Sequence, residues 1–355
     1  MFVPVKSKEG QQLMPMHAAR ARQLIKRGEA TPYWSNGIYC IRLNKEPSDR
    51  ETQEICVGVD PGSKKEGFTV KSEAHTYLNI QADAHTHTSK KVEKRRELRR
   101  GRRGRKCPNR KHKKHNLSNR NRIPAGTRAR WHWKLRILDW LSKLYPVRHV
   151  CVEDIKARTK PYQKKWNQSF SPLEVGKQWF YSEIEKRWQL FTLSGHETKD
   201  IRDRLGLKKS KDKKAETFDA HCVDSWCLAY HVLGGDPIVD NTDIFCISPI
   251  PIQRRNLHRE LPKKGGIRTR YGGTTMYGLV KNTLVKHVRY GLCRISGFQK
   301  GKVSLTNLEG KRLSPTAKIS DCKILRRLNF RYKSIVSEQP KVNQGEIALQ
   351  LTFDI

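Results

Sequence analysis

The chain has 355 residues, with 73 Lys plus Arg against 34 Asp plus Glu and a formal net charge of +39. A compact state with that excess repels itself, and the charge is spread along the chain, so nucleic acid is the natural partner and a membrane surface the weaker match. The opening MFVPVKSKEG lacks the apolar core of a secretion signal and no apolar run is long enough to span a bilayer, which predicts a soluble, intracellular protein with no membrane partner.

The length accommodates two or three small domains, or one interrupted domain with additions. Residues 1–52 hold a short apolar run, then Met14-Pro15-Met16 opening a helix from His17 to Lys26 that ends at Gly28, then a strand Gly37–Leu43 and a polar linker. Ile55–Asp60 is a nearly continuous apolar run, the pattern of a central strand buried on both faces. Pro61-Gly62-Ser63 turns the chain, and Gly67–Val70 and Thr76–Ile80 complete a three-stranded meander.

Residues 90–114 read KKVEKRRELRRGRRGRKCPNRKHKK, in which Val92 and Leu98 are the sole apolar side chains before Arg100. A helix there is polar on every side and stacks like charges at Arg95/Arg99, Arg96/Arg100 and Arg99/Arg103, so it orders on a polyanion or not at all. Gly101 and Gly104 would let its backbone bend or come close to a phosphate. The candidate phosphate-binding side chains are Arg95, Arg96, Arg99, Arg100, Arg102, Arg103, Arg105 and Lys106.

An amphipathic helix follows over 127–144, with Trp131, Leu135, Leu138, Leu141 and Leu144 on one face, and Pro146 stops it. Val147–Glu153 is a second buried strand ending in a carboxylate, 172–188 is another helix, and 199–205 a short one within a basic connection. Glu216–Tyr230 reads as one helix whose stripe Cys222, Trp226, Ala229 and Leu233 faces a core, closed by Gly234-Gly235. Beyond about residue 250 the pattern changes to short strands such as 292–295 and 302–305, with basic pairs Arg254-Arg255 and Lys263-Lys264; a small barrel-like β domain fits it best. Nine cysteines without a Cys-x-x-Cys pair, several inside apolar runs, predict buried free thiols in a reducing compartment, with neither a disulfide framework nor a zinc site.

Asp60 and Glu153 each close a buried strand. If the two strands are parallel neighbours, both carboxylates emerge at the same sheet edge, where sites of α/β proteins form. His221 and Asp224 are three apart on one helix and share a face. Singly, each has an ordinary explanation: a turn-forming Asp before Pro-Gly, a solvated strand end at Glu153-Asp154, a satisfied core histidine. Asp224 is harder to explain that way, because an unpaired carboxylate on an apolar helix is costly. Together, converging carboxylates with one imidazole suit Mg²⁺ or Mn²⁺ and two-metal phosphodiester hydrolysis.

In this order the motifs resemble the RuvC-like nucleases of the IscB group, and within it the IsrB branch. Val57-Gly58-Val59-Asp60-Pro61-Gly62-Ser63 is similar to the first RuvC motif, Val150-Cys151-Val152-Glu153 to the second and His221-Cys222-Val223-Asp224 to the third. The arginine run resembles the group's bridge helix, and Leu13-Met14-Pro15 its N-terminal PLMP element, with Gln12 in place of the leading proline. Residues 154–220 contain a single histidine, His196, leaving no room for an HNH nuclease, and the chain lacks the four-cysteine ribbon of the TnpB group.

The resemblance implies an α/β fold: an RNase H-like (RuvC) mixed sheet interrupted by an arginine-rich bridge helix. The implied division is 1–52 PLMP domain, 53–88, 121–195 and 196–250 RuvC parts I to III, 89–120 bridge helix, and 251–355 a C-terminal β domain that reads a target-adjacent motif. It implies a cytoplasmic prokaryotic nickase, monomeric within a ribonucleoprotein, guided by an ωRNA to double-stranded DNA beside that motif. Asp60, Glu153, His221 and Asp224 would be its catalytic residues and Mg²⁺ ligands, with Mn²⁺ able to substitute. The residues leave two roles open for His221, proton acceptor or metal ligand. Two rivals stand beside this reading: a non-catalytic basic RNA-binding protein, and a guide-independent RuvC-like resolvase.

Overall fold

A computed structural model describes residues 2–47, 50–106, 123–157, 171–249, 260–261, 266–267, 275–276, 279–280, 283–299, 301–326 and 330–336. The rest of the predicted basic stretch from Cys107 onward, and the pairs Arg254-Arg255 and Lys263-Lys264, lie outside these residues. The chain divides into two compact units, Met1–Ile247 with Lys333–Ile355, and Ser248–Tyr332.

The first unit begins with β1 (Phe2–Lys6) and β2 (Gln12–His17), the helix α1 (Ala18–Lys26), and the hairpin β3 (Ala30–Ser35) and β4 (Ile38–Leu43). The four strands lie in the order β2-β1-β4-β3, with β1 and β4 parallel. Val3, Val5, Leu13, Ala21, Ala30 and Ile41 form their core. Met14-Pro15-Met16 is part of β2 and does not open the helix, contrary to the sequence pattern. The reason is position: β2 is an edge strand, where a proline without an N–H is tolerated. His17 then caps α1, its ring accepting from the Ala19 amide at 3.4 Å.

The central sheet starts with the meander β5 (Ile55–Asp60), β6 (Lys65–Lys71) and β7 (Thr76–Asp83). The arginine-rich helix α2 (His87–Lys106) and the amphipathic α3 (Ala125–Leu141) lead to β8 (Val147–Asp154), and α4 (Pro172–Glu185) leads to β9 (Gln189–Ser194). Then come α5 (Gly195–Arg204), α6 (Phe218–His221), α7 (Val223–Leu233) and β10 (Ile244–Pro249). β5 and β8 are parallel, as are β8 and β9, whereas β5, β6 and β7 alternate in direction. The run β7-β6-β5-β8-β9, three antiparallel strands continued by two parallel ones, is the RNase H-like arrangement, and β10 lies parallel to β7 at its far side.

Ile55, Cys56, Val57 and Val59 are fully buried, as the apolar run requires of a strand covered on both faces. Trp131, Leu135, Leu138 and Leu141 bury the predicted face of α3, and all eight described cysteines are buried free thiols. The helix expected over 216–230 is broken at Cys222, which separates α6 from α7. The break lets α7 lie against β5 and β6: Gly58 admits the Ser225 and Ala229 backbone of α7, and Gly67 admits the His221 carbonyl at the end of α6. In α2 the helix runs unbroken through Gly101 and Gly104, which stand in open space.

The described residues of the second unit are β-strands and their connections, with one short 3-10 turn at Ile319–Asp321. Two short ladders, β11 (Glu260–Leu261) with β12 (Gly266–Ile267) and β13 (Thr275–Met276) with β14 (Leu279–Val280), precede an antiparallel sheet. Its strands are β15 (Leu284–His287), β16 (Gly291–Gln299), β17 (Lys302–Thr306), β18 (Arg312–Ala317) and β19 (Cys322–Arg326), in the order β18-β17-β16-β15-β19. Val285, Cys293, Ile295, Val303 and Leu305 fill its core. The last described strand, β20 (Phe330–Val336), joins the central sheet beside β10. Among the described residues no helix is long and apolar enough to cross a membrane.

Candidate active site

Because β5 and β8 are parallel neighbours paired at Val59 and Val152, Asp60 and Glu153 leave the sheet side by side. Their carboxyl groups interact directly. Burial, and then the adjacent Glu153 charge, push the Asp60 carboxyl well above the usual carboxylate range. Two carboxyls in such contact need a proton or a cation between them. Glu153 Oε1 also lies over Gly195, the first residue of α5, where a Cβ would come within 2.7 Å of it. The positive end of that helix favours an anion there.

Asp224 reaches the same place from α7, since Lys209 spans it and Asp60. A Cβ at Gly58 would stand 2.9 Å from the Ser225 carbonyl carbon and 3.0 Å from the Ala229 nitrogen, so α7 rides directly on β5. Ser225 Oγ meets Thr69 Oγ1 at 2.9 Å, and Trp226 Nε1 donates to Thr76 Oγ1 at 2.9 Å, fixing the helix in rotation. Asp224 is thereby 4% exposed, a burial that an unpaired carboxylate would not tolerate. Arg202 of α5 donates to its Oδ1 at 2.6 Å, and the Lys209 ammonium contacts its Oδ2 closely. The same ammonium is 3.9 Å from Asp60 Oδ2. Burial alone would lower the Lys209 pKa, but Asp60, Asp224 and Glu153 outweigh it and raise the value. Neither Arg202 nor Lys209 is marked by any pattern in the sequence. Five lysines stand among the eight residues 207–214, and only tertiary structure distinguishes the one that turns inward.

His221 ends α6, so it and Asp224 lie on either side of the break at Cys222 and not on one continuous helix face. Its Nε2 is buried without a hydrogen-bond partner, and burial together with Lys65 lowers its pKa. The neighbouring Asp154 is engaged elsewhere, with Lys177 Nζ at 2.6 Å and Tyr181 Oη at 3.1 Å. Among the described residues no three His, Cys, Asp or Glu side chains already stand in metal-ligating geometry. At Asp224 two protein cations, Arg202 and Lys209, hold the carboxylate. The donor set nevertheless suits a divalent cation: hard oxygens, a lysine ammonium already between two of them, and an orphaned imidazole nitrogen.

Arg95, Arg96, Arg99, Arg100, Arg102, Arg103 and Arg105 are exposed along α2, which Lys106 terminates. The helix rests on α3, where Ser89 meets Gly126, and has a half-buried Val92 near its start. Arg95 Nε returns to the Lys91 carbonyl and Arg99 Nε to the Arg95 carbonyl, both at 3.3 Å. The result is a cationic rod presented to solvent.

None of the curated proteins matches the chain. Two solved structures of RuvC from Thermus thermophilus are similar to it. The one in complex with Holliday junction substrate has 14% identity and a TM-score of 0.26 over 51% of this chain and 97% of that chain. The other has 14% identity and a TM-score of 0.24 over 51% and 96%. Residues 3–169 match the family model described as RRXRR protein, a stretch that holds Asp60, Glu153 and the run Arg99-Arg100-Gly101-Arg102-Arg103.

Proposed function

We propose that the chain is an RNA-guided DNA endonuclease of the IsrB kind, which nicks the displaced, non-target strand of double-stranded DNA beside a target-adjacent motif. The observation that carries the nuclease reading is the meeting of Asp60 and Glu153 at one sheet edge, with Asp224 joined to Asp60 through Lys209. Asp60, Glu153, Asp224 and His221 are the side chains that would hold Mg²⁺, or Mn²⁺ in its place. When bound, the ions activate the attacking water and stabilise the leaving oxygen.

The protein's own groups do the rest. Glu153, beside the start of α5, and Asp224, clamped by Arg202, are held at fixed positions by secondary structure. His221 presents a bare imidazole nitrogen that either takes a proton from water or completes the ligand set. The α2 arginines hold phosphates of a guide–target duplex without reading bases, so that pairing with an ωRNA supplies the sequence and the C-terminal β unit reads the adjacent motif. A single site of this kind cuts one strand.

The test uses the purified chain with its co-purifying RNA, supercoiled plasmid carrying the matching target, and Mg²⁺. The proposal predicts a nicked circle that depends on both RNA and metal. Nicking that survives RNase treatment favours a resolvase; absence of cleavage with the correct guide and target favours a structural RNA-binding protein.

A further inference from the structure

We propose that Lys209 is a tethered counter-ion that occupies the cation position of the acidic site and must withdraw before divalent ions bind, so that it sets the site's metal affinity. This rests on the reading of Asp60 and Asp224 as metal ligands, and it assigns a role to a residue that reading does not use.

The segment between α5 and α6 is built to deliver this side chain. Leu207 packs against the α7 core on one side of it, and the Ser210 amide donates to the Asp219 carbonyl at 3.0 Å on the other. Asp212 continues the anchoring, accepting from the Lys214 amide at 2.8 Å. Lys208, Lys211, Lys213 and Lys214 stand exposed along the same segment, while Lys209 reaches inward to both carboxylates.

The two cations on Asp224 differ in kind. Arg202 projects from a helix, is 15% exposed and takes Oδ1, so it fixes the carboxylate from the protein side. Lys209 is 39% exposed, takes the other oxygen and spans to Asp60, a residue on a different element. A divalent ion shared by Asp60 and Asp224 needs the oxygens that Lys209 holds, and an ammonium in that space repels it. The two occupants exclude each other. The apparent metal affinity is therefore the intrinsic one reduced by the fraction of time the lysine is in place.

The experiment titrates the nucleic-acid-free full-length chain with Mn²⁺, following the free-ion electron paramagnetic resonance signal. Asp60→Asn supplies the baseline for ions bound elsewhere on the protein. Lys209→Met, which keeps the apolar stem, is expected to bind Mn²⁺ at the site about tenfold more tightly than the wild type, the scale of one lost charge-assisted contact. Lys209→Arg, which keeps the charge, is expected to stay within about twofold of the wild type on the same scale. Lys209→Gln carries the same expectation as the methionine variant if that variant does not fold. Unchanged or weaker Mn²⁺ binding in Lys209→Met, or in Lys209→Gln where it replaces it, overturns the inference, as does tighter binding by Lys209→Arg. Wild-type Mn²⁺ binding by Asp60→Asn instead overturns the metal-site reading itself, so the two failures are distinguishable.

Discussion

Gly58→Ala tests whether the closeness of α7 to β5 positions the site. The added Cβ would overlap the Ser225 carbonyl oxygen and stand 2.9 Å from its carbon and 3.0 Å from the Ala229 nitrogen. These are backbone atoms of a helix tied to the sheet by Ser225–Thr69 and Trp226–Thr76, so no rotamer change relieves the overlap. The whole helix must rise, carrying Asp224 away from Asp60. Overpacking of this kind costs about 1–3 kcal/mol, and an obstacle made of backbone belongs at the upper end. At about 2–4 °C per kcal/mol for a unit of this size, the melting temperature should fall by roughly 10 °C. Thermal unfolding followed by intrinsic tryptophan fluorescence measures it, and Mn²⁺ titration of the folded variant should show weakened binding. A Gly58→Ala protein with wild-type melting and wild-type Mn²⁺ affinity would refute the close-approach argument.

Neutralising Arg95, Arg96, Arg99 and Arg100 together should weaken nucleic-acid binding and flatten its salt dependence, by up to about 0.9 log units per lost duplex-phosphate contact; an unchanged slope in filter-binding titrations would mean that α2 does not touch phosphate. Lys134→Met leaves the fully buried Glu66 without the ammonium 2.7 Å away, and should cost about 3–5 kcal/mol in denaturant unfolding at neutral pH. Burial already raises the Glu66 pKa while Lys134 opposes the rise, so removing the lysine raises it further. A carboxyl raised in the folded state favours folding at low pH, and the deficit of the variant should shrink as pH falls below that raised value. The pKa of the buried His85, desolvated and with its ring tilted against that of His87 at 3.8 Å between centroids, is held down to about 4. The unfolded chain therefore binds the extra proton first, and stability should be lost as pH falls from about 6.5 toward about 4. His85→Gln should flatten that loss in pH-dependent unfolding; an unaltered profile would contradict the assignment.

Much of the central sheet was legible because buried parallel strands leave an unmistakable trace. Ile55–Val59 and Val150–Val152 are apolar without alternation, so the carboxylates that follow them had to emerge at strand ends. β9 carries no such trace: Gln189–Ser194 is an edge strand, half exposed, and its mixed composition resembles a loop. Met14–Met16 misled because proline at the head of a helix-like run is an ordinary start signal, and its tolerance here depends on β2 lying at a sheet edge. The break at Cys222 was hidden for a similar reason. Helical periodicity continues through it, and what interrupts the helix is contact with the sheet through Gly67 and Gly58. Arg202 and Lys209 were beyond reach because a cation on a basic segment shows its partner only once two distant elements have met.

On the proposed function, Asp60, Glu153 and Asp224 form a single divalent-cation site. Crystals of the full-length chain soaked in Mn²⁺, measured at the manganese absorption edge, test it most directly. Anomalous peaks are expected among these three carboxylates, with the Lys209 ammonium moved off Asp224. Manganese bound elsewhere while Lys209 still bridges Asp60 and Asp224 would contradict it.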